Sequence, residues 1–203
     1  MRIGMLGTGV AGRTLGAKLT ELGHDVRLGS RDPERSFAAA AAHGEVVFNA
    51  TAGTASLEAL RAAGSENLAG KLLVDVANPL DTSKGFPPTL SVCNDDSLGE
   101  QIQREFPQAR VVKTLNTVNA DVMVNPSLVP GGHNVFLAGE DDGAKEETRA
   151  LLEAFGWPED RIVDLGGIEA ARGLEMYLPL WLSLFRAADT AHLNIAFLHA
   201  DAL

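Results

Sequence analysis

Gly7-Thr8-Gly9-Val10-Ala11-Gly12 decides the reading of this chain. The six residues follow a short apolar run, Ile3 to Leu6, and open an amphipathic segment from Val10 to Leu22. That order is strand, glycine turn, helix. The three glycines act differently. Gly7 permits the tight turn, Gly9 lets backbone approach a pyrophosphate, and Gly12 lets the helix pack close to the sheet. The phosphates are expected at the helix N-terminus, where unpaired N–H groups and the helix dipole favour anions. The pattern therefore predicts a dinucleotide site, with Gly7, Thr8, Gly9, Val10, Ala11 and Gly12 as its phosphate loop.

Working outward, apolar runs alternate with helical patterns. Strands are expected at Arg2–Leu6, Asp25–Leu28, Val46–Ala50, Leu72–Ala77, Arg110–Thr114, Asn134–Ala138 and near Arg161–Asp164. Asp32-Pro33 reads as a helix cap followed by the first helical residue. Pro87-Pro88 marks a loop. Several strands are continuously apolar, as when helices cover both faces of a sheet. Strand–helix alternation predicts an α/β fold, a Rossmann-like, doubly wound, mostly parallel sheet. Residues 1–166 are assigned to this nucleotide-binding domain. Residues 167–203 read as a helical extension, kinked at Pro179 and carrying Tyr177, Trp181 and Phe185, that packs on the body or on a second subunit. Its apolar content leads to the expectation of a homodimer.

Composition bounds the function. With 203 residues the chain can bury a full core. Its formal charge of −10 leaves no basic stripe for nucleic acid. One cysteine, Cys93, excludes an internal disulfide framework and a multi-cysteine zinc site, so no metal is expected. No apolar run reaches the roughly 18 to 20 residues of a membrane span. The first strand begins at once, with no leader pattern ahead of it. A cytoplasmic protein acting on a small molecule is the expectation.

The end of the second strand selects the dinucleotide. NAD enzymes place an acidic residue there, about 20 residues after the glycines. This chain has Leu28-Gly29-Ser30-Arg31-Asp32. A hydroxyl and a guanidinium suit the 2′-phosphate of NADP: Ser30 can donate to it, and Arg31 can pair with it or stack on adenine. Arg35 adds charge about a turn further on. The remaining strand ends carry Thr51-Ala52-Gly53, Ala77-Asn78-Pro79 and Thr114-Leu115-Asn116-Thr117. Small and polar residues at the carboxyl edge of such a sheet make Thr51, Ala52, Asn78, Pro79 and Asn116 further candidates for cofactor binding.

Taken together, Gly7-Thr8-Gly9 with Gly12 and Gly16, Gly29-Ser30-Arg31, Ala77-Asn78-Pro79, the run Val112 to Thr117, and Asn194-Ile195-Ala196-Phe197-Leu198 are similar to the coenzyme F420-dependent NADP oxidoreductase family. The same fold forms the reductase domain of the STEAP ferric reductases. The resemblance implies that Ser30, Arg31 and Arg35 hold the 2′-phosphate, and that coenzyme F420 or a flavin serves as co-substrate. One departure is Asn119, which stands where deazaflavin-reducing members commonly have proline.

Hydride transfer between two stacked rings asks the protein for position and dryness more than for acid–base chemistry. No catalytic constellation is evident, and no catalytic residue is assigned. Of the five histidines, His133, after Gly131-Gly132, is the one expected nearest the crevice. The tail aromatics are expected to wall a flat acceptor. Two alternatives stay open: an NADPH-dependent reductase of a small carbonyl or imine metabolite, and a non-catalytic NADPH sensor. The absence of lysine after Lys145 argues against the related β-hydroxyacid dehydrogenases, which use a lysine on a long interdomain helix.

Overall fold

A computed structural model describes residues 1–200, so the last three residues of the expected 167–203 extension lie outside the described residues. The chain runs β1 (Arg2–Leu6), α1 (Val10–Glu21), β2 (Asp25–Gly29), α2 (Phe37–His43), β3 (Val46–Asn49), α3 (Gly53–Ala63), α4 (Ser65–Leu68), β4 (Leu72–Asp75), β5 (Leu80–Asp81), β6 (Thr89–Leu90), α5 (Leu98–Glu105), β7 (Arg110–Thr114), α6 (Ala120–Val124), β8 (Val135–Ala138), α7 (Asp142–Ala154), β9 (Ile162–Asp164), α8 (Ala171–Met176) and α9 (Leu178–Ala188).

Seven strands form one sheet in the order β2-β1-β3-β4-β7-β8-β9. Strand pleating divides the apolar residues between two layers. Ile3, Met5, Val46, Phe48, Leu72, Val74 and Val112 pack with α1 residues Leu15 and Leu19 on one face. Leu6, Val47, Leu73 and Val111 pack on the other face with Phe37, Ala40, Ala59, Leu60 and Ile102. Two covered faces explain why β3 and β4 are buried at every position. The chain leaves β1 toward β2 on one side and β3 lies on the other, so the carboxyl ends of β1 and β3 flank the point where strand order reverses.

The sheet is mostly parallel, as expected, with β7–β8 as its antiparallel pair. The connection between them includes the five-residue α6 instead of a helix that crosses the sheet, so the chain re-enters where it left. Two expectations need correction. Asp32-Pro33 opens only a single 3₁₀ turn over Pro33–Arg35. The helix begins at Phe37, because Ser36 adopts extended backbone and caps it through a 3.2 Å bond from the Ala39 N–H. The tail is helical only to Ala188. Asp189 takes a left-handed conformation, and the chain continues as a non-helical arm. Asn134 holds that arm, donating its N–H to the Ile195 carbonyl at 3.0 Å and accepting from the Phe197 N–H at 2.7 Å. The region of Pro87-Pro88, read as a loop, also contains the small β5–β6 hairpin.

The tail break at Tyr177 falls where Pro179 removes a helical N–H. Leu174, Leu178 and Leu182 are buried, while α8 lies against α5. Among the described residues, no helix is long and apolar enough to cross a membrane.

The glycines of the first turn separate packing from ligand space. A Cβ on Gly12 would lie 2.2 Å from the Gly7 carbonyl oxygen, whereas one on Gly9 would meet nothing within 4 Å. Gly12→Ala is expected to cost about 1–3 kcal/mol through forced backbone movement. Gly9→Ala should cost less than about 1 kcal/mol. Urea unfolding of the two variants checks this order.

Candidate dinucleotide site

The β1–α1 turn is built by contacts that admit only glycine. Gly7 has φ +116°, and a Cβ there would sit 2.4 Å from the Ala50 carbonyl oxygen. Its N–H donates to the Gly29 carbonyl at 2.9 Å, tying the turn to the end of β2. No acidic side chain occupies the first turn of α1, and its cap residue is Gly9. The first N–H groups of α1 therefore have no anionic partner from the protein. The Arg13 guanidinium folds back to donate to the Thr8 carbonyl. Sequence reasoning missed Arg13; the signal was a cation four residues after Gly9.

A cleft of about 480 Å³ opens at this point. Gly7, Thr8 and Gly9 form one end. Ser30, Arg31, Ser36 and Phe37 form one wall, and Ala50, Thr51, Ala52, Ala55, Glu58, Ala59 and Ala62 form the other. The structure thus brings together seven of the expected residues: Gly7, Thr8, Gly9, Ser30, Arg31, Thr51 and Ala52. Val10, Ala11 and Gly12 continue into α1 without lining the cleft. Phe37, Ala55, Glu58 and Ala62 were missed because only folding of α2 and α3 turns them toward Ser30.

Arg35, expected beside Ser30 and Arg31, does not line the cleft. It pairs with Asp32 at 3.2 Å on the surface. The Asp32 carboxylate also accepts from the Glu34 N–H at 3.0 Å. These two contacts hold its pKa below the ordinary carboxylate range, with the Glu34 N–H the larger cause. Arg31 makes no protein hydrogen bond or ion pair among the described residues.

Asn78, Pro79 and Asn116 lie outside the cleft at the carboxyl ends of β4 and β7. The α3 N-terminus abuts them, since a Cβ on Gly53 would meet the Asn78 oxygen at 2.0 Å. Asn78 Nδ2 donates to the Asn116 carbonyl at 2.8 Å. Asn116 Nδ2 donates to Asn78 Oδ1 at 2.9 Å and to the Leu174 carbonyl at 3.0 Å. The Leu174 carbonyl can only accept, which fixes the orientation of the Asn116 amide. Its Oδ1 is then buried without a partner, as are the Tyr177 hydroxyl and Trp181 Nε1. Burial pushes the Tyr177 hydroxyl pKa up. Trp181 stacks on Phe185 with centroids 5.7 Å apart.

A buried polar chain connects the cleft to this tail. Thr51 Oγ1 donates to Asn49 Oδ1 at 2.7 Å, and Asn49 Nδ2 donates to Asp75 Oδ1 at 2.8 Å. Lys113 Nζ lies 2.8 Å from both Asp75 Oδ2 and Glu175 Oε1, and donates to the Ala77 carbonyl at 2.5 Å. Glu175 then accepts the Leu98 and Gly99 N–H groups at 2.8 and 3.0 Å, at the start of α5. Lys113 and Asp75 are 0% exposed. Burial alone would lower the Lys113 pKa, but the two carboxylates outweigh it and raise the value, so the ammonium stays charged. Lys113 sits in the motif read from the sequence, yet its acidic partners come from β4 and α8 and had no local signal.

His133, the histidine expected nearest the crevice, is taken up by structure. Its Nε2 lies 3.1 Å from the carbonyls of both Pro126 and Val129, its Nδ1 lies 2.8 Å from Asn194 Nδ2, and its ring meets Trp157 edge-on. Nε2–H can donate to the two carbonyls while Nδ1 accepts from the Asn194 amide, so both ring nitrogens have protein partners. It does not line the cleft.

The geometry has a close counterpart. A candidate F420-dependent NADP-reductase from Arthrobacter sp. FB24 has 49% sequence identity, with 98% of each chain covered and a TM-score of 0.92. The chain belongs to the coenzyme F420-dependent NADP oxidoreductase family. The family described as NADP oxidoreductase coenzyme F420-dependent matches residues 2–79. F420-dependent NADP reductase of Methanothermobacter marburgensis is 29% identical over 91% of this chain and 92% of its own length. Metalloreductase STEAP3 of Rattus norvegicus is 28% identical over 89% of this chain, which spans 38% of that protein. The family match ends at Pro79, so it includes the glycine turn, Ser30 and Arg31, and excludes Lys113 and the tail.

Two measurements test the frame of this family member. Lys113→Met leaves two buried carboxylates without their cation and is expected to cost about 3–5 kcal/mol in urea unfolding. A separate tether joins α8 to α5: Arg172 grips Glu100 at 2.9 and 2.5 Å. That bond is the main cause holding the Glu100 pKa below its ordinary value. Its stabilisation is complete above the unfolded pKa and is lost as pH falls through the folded one. Thermal melts should show Tm falling in this acid range, with a shallower fall in Arg172→Met.

Proposed function

We propose that the protein transfers hydride between NADP(H) and a flat ring acceptor such as coenzyme F420 or a flavin. One observation carries the cofactor reading: Arg31 lines the cleft beside Ser30 with no protein partner, while the charged neighbours Asp32 and Arg35 neutralise each other outside it. A guanidinium free to make paired hydrogen bonds, next to a hydroxyl, suits a 2′-phosphate. The turn at Gly7, Thr8 and Gly9, followed by a helix start without acidic residues, suits the pyrophosphate. The residues present therefore fit NADP. When bound, that cofactor supplies the hydride from its nicotinamide.

The protein's own residues then have three duties. Ser30 and Arg31 bind, Thr51 and Ala52 set the cleft wall, and the Asn78–Asn116 pair with the tail excludes water at the carboxyl edge. The buried, unpartnered polar atoms of Asn116, Tyr177 and Trp181 place unused hydrogen-bonding capacity beside that edge. This supports the tail as the acceptor wall. A carbonyl or imine reductase needs a proton donor as well as a hydride. The two basic side chains near the edge, Lys113 and His133, are fully engaged, which favours an acceptor whose chemistry resides in its ring. Met176, Leu180 and Leu184, exposed at helical spacing on α8–α9, are the face we assign to a homodimer.

The test combines binding and turnover. Arg31→Ala should weaken NADPH binding about 10- to 100-fold by cofactor fluorescence, and NADH binding clearly less. The wild-type enzyme should bleach the absorbance of oxidised F420 in the presence of NADPH. Equal affinity for NADH and NADPH in the wild type would overturn the cofactor assignment, and an unchanged F420 spectrum would overturn F420 as the acceptor.

A further inference from the structure

We infer that Glu58 reads the base of the cofactor, selecting adenine by accepting a hydrogen bond from its exocyclic amino group. This rests on the NADP reading of the cleft and adds a specificity residue that neither the glycine turn nor Ser30 and Arg31 supplies. The argument starts from helix α3. Ala55, Glu58, Ala59 and Ala62 recur at spacings of three and four, so they share one helical face, and that face lines the cleft. Three of the four are alanines, which keep the wall low. Glu58 is the single long polar side chain on it.

The opposite wall carries Arg31 at the tip of β2 and Phe37 at the start of α2. Arg31 and Glu58 have opposite charges and line the same cavity, yet no ion pair within 4.0 Å joins them, and the Glu58 side chain makes no hydrogen bond among the described residues. Its neighbour Arg61 is bound to Glu105 at 2.5 and 2.7 Å, and Glu58 reaches it only as the smallest of the charge contributions, with no hydrogen bond or ion pair. Two unpaired opposite charges held apart by a cleft leave space between them. A flat base fits that space: a guanidinium can stack on its face, and the alanine wall accepts its other face.

Position then gives Glu58 its chemistry. With Ser30 and Arg31 engaging the 2′-phosphate and the glycine turn the pyrophosphate, the base is left with the portion of the cleft bounded by α3. A carboxylate is an acceptor only. Adenine presents an N–H₂ donor at its six position; hypoxanthine has there a carbonyl oxygen that a carboxylate repels, and its donor moves to N1–H, one ring position away from where Glu58 would meet the amino group. A glutamine can serve either base, because its amide both donates and accepts.

The experiment is a binding titration of NADPH and of reduced nicotinamide hypoxanthine dinucleotide phosphate, followed by cofactor fluorescence. Wild type is expected to favour NADPH by roughly tenfold, the scale of one hydrogen bond to a charged group. Glu58→Ala should bring the two within about twofold, and Glu58→Gln should bind the hypoxanthine cofactor more tightly than wild type does. Equal binding of both cofactors by wild type, or a preference that survives in Glu58→Ala, overturns the inference. Failure of wild type to bind NADPH at all sinks the underlying NADP reading instead. Unchanged circular dichroism and melting of the variants show that Glu58 acts on the ligand and not on α3.

Discussion

One buried ammonium ties the carboxyl edge of the sheet to the tail that covers it. Lys113 sits fully inside the protein between Asp75 and Glu175, with the Ala77 carbonyl as a third partner. Such a cluster survives only if every charge is satisfied, because an unpaired ion in the interior costs several kcal/mol. Here the excess negative charge is met by N–H groups: Asn49 and Ala77 on Asp75, and the start of α5 on Glu175. The consequence is positional. The end of β4, the end of β7, the start of α5 and helix α8 must keep one arrangement to preserve these bonds. The carboxyl edge of the sheet and the tail that covers it are therefore a single polar unit.

The cleft at the glycine turn and this unit are built differently. The cleft is a product of close backbone approach at Gly7 and Gly12, which brings α1 and the β3–α3 connection together. It is open, and the charged side chains lining it are unpaired. The polar unit is closed and almost wholly satisfied, with the exceptions concentrated at Asn116, Tyr177 and Trp181. Thr51 belongs to both, since it lines the cleft and bonds to Asn49. Thr51 is thus linked to Lys113 through two side chains, Asn49 and Asp75.

The glycine turn and the tip of β2 were legible because local rules govern them. A strand followed by spaced glycines can form few structures other than a βα turn, and Ser30 and Arg31 sit at a position fixed by where β2 ends. The first sheet layers were legible for the same reason: continuous apolar runs mean two covered faces. What failed locally was capping and continuation. Ser36, not Asp32, caps α2, because Asp32 is used to cap the separate Pro33–Arg35 turn and Ser36 accepts from the Ala39 N–H. The tail helix stops at Ala188, where Asp189 takes a left-handed conformation, and Asn134 captures the arm that follows.

The sequence by itself therefore determined the fold class, the glycine turn and the residues at the strand tip, all of which depend on neighbours within a few positions. Tertiary structure alone decided which ionic groups are free. Arg31 and Arg35 are equivalent as letters, yet one lines the cleft unpaired and the other is spent on Asp32. Glu58 and Glu175 are likewise the same residue type, but one faces the cleft and the other is buried against Lys113. The physical reason is that a charge's role depends on what lies within a few ångströms of it, and those partners come from strands and helices far apart in the chain.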